Sequence, residues 1–250
     1  MNETSRKIVG AVLAGGEGKR LRPITFYFQK CMIPVGSNQK PLLEYIVHLL
    51  KKHGIFDLKM LVGYKHEQIE NFFGEGDRFG INIDYFLDDP TLSGSGGALL
   101  NAAKQSAFED ADAMLVYYGD ILSDIDLSKM LQQHFEANAS VTLAVTKGYE
   151  VPIGVAKIEG TTVVDWVEKP KIDLYAGIGI VVLSPESLKA LKETAIGRDA
   201  VDIMGDLVPH LITNGKRVEA YVTDAFWYDL GSTEKYEKLD NGLVDDLLKI

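Results

Sequence analysis

The chain has 250 residues, 46% of them hydrophobic and 25% charged, which is the balance of a folded domain with a sizeable core rather than of a disordered chain. A net charge of −10 argues against nucleic-acid binding, which needs a broad basic surface, and no apolar run nears the roughly 20 residues that span a bilayer. The single cysteine, Cys31, excludes an internal disulfide; with no signal peptide expected at the start of the chain, the expectation is a cytoplasmic setting and no membrane partner.

Ile8-Val9-Gly10-Ala11-Val12-Leu13 is continuously apolar, as a central parallel strand covered on both faces requires. Leu42, Leu43, Ile46, Val47, Leu49 and Leu50 fall at helical spacing and stop at His53-Gly54. Residues 58–62 read as a strand, 67–73 as a helix, 81–86 as a strand, 97–106 as a helix and 113–118 as another buried strand. After residue 140 short strands dominate, at 141–146, 154–158, 163–168 and 177–183. Ser184-Pro185-Glu186 opens a helix, 218–222 is a late strand, and Ser232 caps a final helix. The expected fold is α/β, a doubly wound, mostly parallel Rossmann-like sheet with a β-rich insertion over one edge. One domain over 1–250 is expected, with a first part over about 1–135, a second over about 136–230 and a C-terminal helix over 231–250.

The first strand runs into Leu13-Ala14-Gly15-Gly16-Glu17-Gly18-Lys19-Arg20-Leu21-Arg22-Pro23. Three glycines in four positions let backbone N–H groups converge on an anion, and the basic residues after them add charge. Residues 1–40 hold seven Lys/Arg (Arg6, Lys7, Lys19, Arg20, Arg22, Lys30, Lys40) against two acids, Glu3 and Glu17. In an acidic chain this suits a focused site for a small polyanion. A P-loop is excluded because Leu13 stands at its first glycine and Arg20 at its Ser/Thr; the dinucleotide fingerprint fails at Leu21.

This run resembles the signature of the sugar-1-phosphate nucleotidyltransferases, L-A-G-G-x-G-x-R-L-x-P-x-T, at every fixed position. The resemblance extends in family order from residue 8 to about 240. Gln29–Val35 resembles P-K-P-M-[IVL]-P-V with Gln29 and Cys31 in place of prolines, and Ser93–Leu99 resembles L-G-T-A-G-A-L. Tyr117-Tyr118-Gly119-Asp120 ends a strand where ligands of open α/β sheets bind. Val167–Pro170 resembles V-E-K-P, Tyr175–Ile180 resembles N-A-G-I-Y-[IV] with Tyr175 for asparagine, and Trp227–Ser232 resembles W-x-D-[IV]-G-[TS].

The resemblance implies transfer of a nucleotidyl group from a nucleoside triphosphate to a hexose 1-phosphate, with release of pyrophosphate. Arg20, Lys30, Asp120 and Asp229 are the implied catalytic residues, with Asp120 and Asp229 holding Mg²⁺, a hard cation suited to carboxylate oxygens. Leu13, Ala14, Gly15, Gly16, Gly18, Lys19, Gly96 and Gly97 are implied to hold the nucleotide, with Gly96 and Gly97 against the base. Glu168, Lys169 and Gly177 are implied to hold the sugar phosphate. Guanylyl transfer to mannose 1-phosphate is the leading expectation, with thymidylyl or uridylyl transfer to glucose 1-phosphate beside it. A non-catalytic nucleotide-sugar sensor and a transferase for another acceptor such as phosphocholine are the alternatives, and a homo-oligomer is left open. The five histidines show no metal-ligand spacing and are read as structural or surface residues.

Overall fold

The computed structural model describes residues 6–148, 150–151, 153–171 and 173–248; the extreme ends of the sequence reading, 1–5 and 249–250, lie outside it. β1 is Ile8–Ala14, and a two-residue ladder pairs β2, Pro34–Val35, with β3, Lys40–Pro41. α1 (Leu42–Lys52), β4 (Asp57–Val62), α2 (His66–Phe73), β5 (Asn82–Leu87), α3 (Gly94–Lys104) and β6 (Ala113–Tyr118) then alternate, as the apolar periodicities require. β7 (Ile121–Ser123), α4 (Leu127–Glu136), β8 (Val141–Lys147), β9 (Val155–Glu159), β10 (Thr162–Val167) and β11 (Tyr175–Leu183) follow. The chain continues through α5 (Pro185–Thr194), a π-helical turn at Ile203–Leu207, α6 (Val208–Thr213), β12 (Val218–Val222), β13 (Trp227–Asp229), α7 (Thr233–Lys238) and α8 (Asn241–Leu247).

Seven strands form one sheet in the order β12-β8-β11-β6-β1-β4-β5. β4, β5 and β6 run parallel to the β1 direction, and β12 is parallel to β8; β11 alone is antiparallel to its neighbours β6 and β8. The unbroken apolar run of β1 is explained by its place. Val12 and Ala14 enter a core with α1, whereas Val9 and Ala11 enter a second core with α3. α1 buries Leu42, Leu43, Ile46, Val47 and Leu50 and places Lys51 and Lys52 in its last turn, where cations favour the helix dipole.

The strand-rich stretch after residue 140 divides in a way its composition did not reveal. β8 and β11 join the main sheet, and only β9 and β10 form a separate hairpin, exposed on both faces. α4, which the sequence reading passed over, is marked by its N-cap: the Asp126 carboxylate accepts from the Lys129 N–H at 3.1 Å. The single helix expected over 231–250 is two helices. Ser232 caps α7 as expected, but Leu239 is extended and Asp240 caps α8 by accepting from Leu243 N–H at 3.1 Å, so the helical ladder restarts.

Candidate active site

The sheet order reverses between β1 and β6: the chain winds outward from β1 through β4 to β5, then returns to β6 on the other side of β1. Crevices at such a reversal, beyond the C-terminal ends of the strands, are where open α/β sheets bind ligands. Leu13 of β1 lies in register with Tyr118 of β6, and Gly119 N–H donates to the Leu13 carbonyl at 3.0 Å. The glycine-rich loop and Asp120 therefore leave adjacent strands side by side. A cavity of about 370 Å³ opens there, lined by Leu13, Ala14, Gly15, Gly16, Lys30, Asp120, Tyr118, Ser95 and Asp202 among others.

The loop is held open by close packing beneath it. Gly18 adopts φ 62°, a left-handed conformation that favours glycine, and its carbonyl accepts from the Thr25 hydroxyl at 3.0 Å. A side chain at Gly15 would meet the Asp88 carboxylate, which also lies against Gly63. Burial raises the Asp88 carboxyl above its ordinary range even though the residue as a whole is exposed. Lys19 and Arg22 both pair with Glu17, at 3.3 and 3.4 Å, whereas the exposed Arg20 guanidinium makes no ion pair among the described residues. Arg20 stands on the 3₁₀ turn Lys19–Leu21, and Gly18, Lys19 and Arg20 lie beside the cavity rather than in its lining.

Lys30 and Asp120 form an ion pair in the cavity wall, with side chains 12% and 23% exposed. Gln29, fully buried, sets the position of this lysine. Its amide N–H₂ donates to the Ala14 carbonyl at 2.6 Å, its amide oxygen accepts from Cys31 N–H at 2.5 Å, and its own backbone N–H donates to Gln68 at 2.7 Å. Here a glutamine replaces the family's proline and ties the segment to the end of β1 through hydrogen bonds. Cys31 lies behind it, buried, with its thiol pushed up to about 12 chiefly by that burial and next by Asp120.

β13 pairs antiparallel with β7, with Asp229 opposite Ile121, and Leu230 N–H donates to the Asp120 carbonyl at 2.9 Å. The two aspartates of the sequence reading are therefore backbone neighbours. Their carboxylates line different cavities: Asp120 the one described, and Asp229 a second of about 420 Å³ with Thr146, Lys147, Glu150, Trp227, Tyr228 and Lys235. Asp229 is paired with Lys235 at 2.6 Å. No group of three or more metal-ligating side chains occurs among the described residues. A two-carboxylate donor set of hard oxygens still fits Mg²⁺, which keeps waters and substrate phosphates as its other ligands.

The remaining expectations fall at varied distances from these cavities. Gly94, Ser95 and Ala98 line the first cavity, whereas Gly96 and Gly97 sit behind it, buried. The close approach these two glycines permit is to protein: a side chain would meet Val201 at Gly96 and Leu92 at Gly97. The Gly96 and Gly97 N–H groups donate to the Val201 carbonyl at 2.9 and 3.2 Å, and Ser95 N–H and hydroxyl both donate to Asp202, at 3.0 and 2.9 Å. The first turn of α3 is thus closed by the 199–203 segment, a contact that local sequence patterns do not signal. Glu168 and Lys169 are exposed, Lys169 with φ 47°. Lys169 lies near Glu234, whose carboxyl is held low chiefly by its bond to Lys238 and also by Lys169. Gly177, exposed in β11 where the ladder to β8 shifts register, faces Met204 at the π-helical turn.

Residues 9–245 match the family model described as nucleotidyl transferase. The chain is a member of that family. It is 31% identical over 257 residues to the UTP–glucose-1-phosphate uridylyltransferase of Synechocystis sp. (strain ATCC 27184 / PCC 6803 / Kazusa), covering 95% of this chain and 64% of that protein. It is 30% identical to the D-glycero-α-D-manno-heptose 1-phosphate guanylyltransferase of Aneurinibacillus thermoaerophilus, covering 93% of this chain and 96% of that one. Among solved structures, a Bacillus anthracis protein named a putative glucose-1-phosphate thymidylyltransferase superposes with a TM-score of 0.76 at 24% identity, covering 97% and 96% of the two chains, a likeness of fold. The nucleotidyl transferase family thus accounts for nearly the whole length, and the relatives' names are those of sugar-1-phosphate nucleotidyltransferases. No helix among the described residues is long and apolar enough to cross a membrane.

Proposed function

We propose that this chain joins a nucleoside triphosphate to a hexose 1-phosphate, releasing pyrophosphate and an NDP-sugar. The observation that carries this reading is the convergence of the Leu13–Gly16 backbone, Lys30 and Asp120 on one cavity at the β1/β6 reversal, with Leu230, the residue after Asp229, donating to the Asp120 carbonyl. In the reaction a phosphate oxygen of the sugar 1-phosphate forms a bond to the α-phosphorus, and the bond from that phosphorus to the β-phosphate oxygen breaks. The backbone of Leu13, Ala14, Gly15 and Gly16 cradles the triphosphate, with Gly18 and Lys19 shaping the loop, while Lys30 and Arg20 offset its charge. Asp120 and Asp229 would hold Mg²⁺, which when bound supplies charge neutralisation at the phosphates. Glu168 orients sugar hydroxyls, Lys169 receives the sugar phosphate, and Gly177 leaves room for the ring. Positioning, rather than a covalent intermediate, provides the rate. A cytoplasmic site of action accords with the lone, buried cysteine.

GTP with mannose 1-phosphate is the lead substrate pair; the similarity to guanylyltransferases acting on a heptose 1-phosphate and on mannose 1-phosphate favours it. UTP or dTTP with glucose 1-phosphate is the second reading, favoured by the similarity to the uridylyltransferase. A pyrophosphate-release panel of four nucleoside triphosphates against mannose, glucose and heptose 1-phosphates and phosphocholine, with Mg²⁺, separates them. Release with GTP and mannose 1-phosphate above all other pairs supports the lead assignment. Release only with phosphocholine, or nucleotide-sugar binding without any turnover, overturns the sugar transferase reading.

A further inference from the structure

Both aspartates of the site are occupied by a lysine: Lys30 on Asp120 and Lys235 on Asp229. Lys30 falls inside a family motif, whereas Lys235 lies three residues beyond the last one, which ends at Ser232. Its placement is nonetheless tightly determined. The Lys235 backbone N–H donates to the Ser232 hydroxyl that caps α7 at 3.3 Å, and its carbonyl accepts from the Tyr228 hydroxyl at 2.6 Å. Backbone anchoring at both ends of the residue directs the side chain back along the ribbon to Asp229, and its ammonium lines the second cavity.

The charges in that cavity are unbalanced for a phosphate. Asp229 and Glu150 line it as acids, and Lys147, its other lysine, is already paired with Asp173 at 2.8 Å. A phosphate dianion entering beside these carboxylates needs a cation held in the cavity, and Lys235 is the less exposed of its two lysines, 42% against 54%. Binding of a divalent ion by Asp229 would displace the lysine from the carboxylate, and the flexible stem leaves the ammonium free to move a few ångströms while α7 holds its backbone. We infer that Lys235 is a docking residue for the phosphate of the sugar 1-phosphate, acting together with Lys169 and exchanging Asp229 for the substrate when the metal site fills. This rests on the transferase reading above.

The test compares wild type, Lys235→Gln, Lys235→Arg and the neighbouring control Lys238→Gln, whose lysine pairs with Glu234 on the exposed side of α7. Losing one charge-assisted contact to phosphate predicts a KM for the sugar 1-phosphate raised ~10-fold or more in Lys235→Gln, with the nucleotide KM within about twofold, partial recovery in Lys235→Arg and no change in Lys238→Gln. Calorimetric titration of mannose 1-phosphate and glucose 1-phosphate into the Mg²⁺-loaded protein gives a second readout, weakened binding in Lys235→Gln alone. Unchanged sugar-phosphate KM and binding in a folded Lys235→Gln protein, or a rise confined to the nucleotide, overturns the inference. If wild type turns over no sugar phosphate, the transferase reading fails by itself, and the calorimetric comparison still decides whether Lys235 receives a phosphate.

Discussion

Leu230 donates its backbone N–H to the carbonyl of Asp120 at 2.9 Å, at the end of the ladder that pairs β13 with β7. That pairing makes the acid that ends the strand beside the glycine loop and the acid of the late Trp-Tyr-Asp motif neighbours across a short ribbon. Asp120 lines the first cavity and Asp229 the second, each balanced by its own lysine.

Gln29 is expected to matter more than a loop residue usually does. Gln29→Leu keeps the buried volume but strands the Ala14 carbonyl and the Cys31 N–H, and each unsatisfied buried group costs ~1–3 kcal/mol. Urea unfolding should show a loss of about 2–6 kcal/mol in total on that basis, and the nucleotide KM should rise because Lys30 loses its anchor. A variant with wild-type stability and kinetics would remove Gln29 from this role.

Cys31 lines the first cavity yet is expected to be chemically silent. Its thiol stays protonated until about pH 12, so the reactive thiolate is scarce at pH 8. Iodoacetamide at pH 8 should leave the native protein unlabelled and modify one site after denaturation. Rapid labelling of the folded protein, suppressed by nucleotide, would show that the thiol is ionised and reachable.

His134 predicts the acid limit of the fold. It is buried, shares a hydrogen bond with Thr142 at 2.9 Å, and is lowered to about 4, first by burial and then by Arg6. The unfolded chain takes up the proton near pH 6.5, so the stability owed to neutral His134 is complete above pH 6.5 and drains away as pH falls toward 4. Between pH 7 and pH 5 the loss is up to about 2 kcal/mol. Chemical denaturation of His134→Gln across this range should give a visibly flatter pH profile than wild type; parallel profiles would place the acid sensitivity elsewhere.

Much of this arrangement is written locally in the chain. The all-apolar β1 followed by Gly15-Gly16-Glu17-Gly18 specifies a central strand running into an anion loop, and the position of Asp120 just past a second buried strand puts it at the same sheet edge. What stayed hidden depends on contacts between distant segments. Gly96 and Gly97 read as space for a base, but the space is used by Val201 and Leu92. Gln29 stands where the family pattern has proline and Lys235 lies outside every motif, and what both do depends on partners the fold supplies, the Ala14 carbonyl and Asp229. The late strands read alike in composition, although β8 and β11 enter the sheet and β9 and β10 do not, because pairing partners rather than propensity decide which strand is central.

Isotope tracing tests the central claim most directly. The purified protein is incubated with mannose 1-phosphate, Mg²⁺ and GTP labelled at either the α- or the γ-phosphorus, and the products are separated. Bond formation at the α-phosphorus predicts that the α-label moves into the sugar nucleotide and the γ-label into pyrophosphate, with both transfers lost in Asp120→Asn. Release of the γ-label as orthophosphate, with the α-label remaining in GDP, would contradict the account.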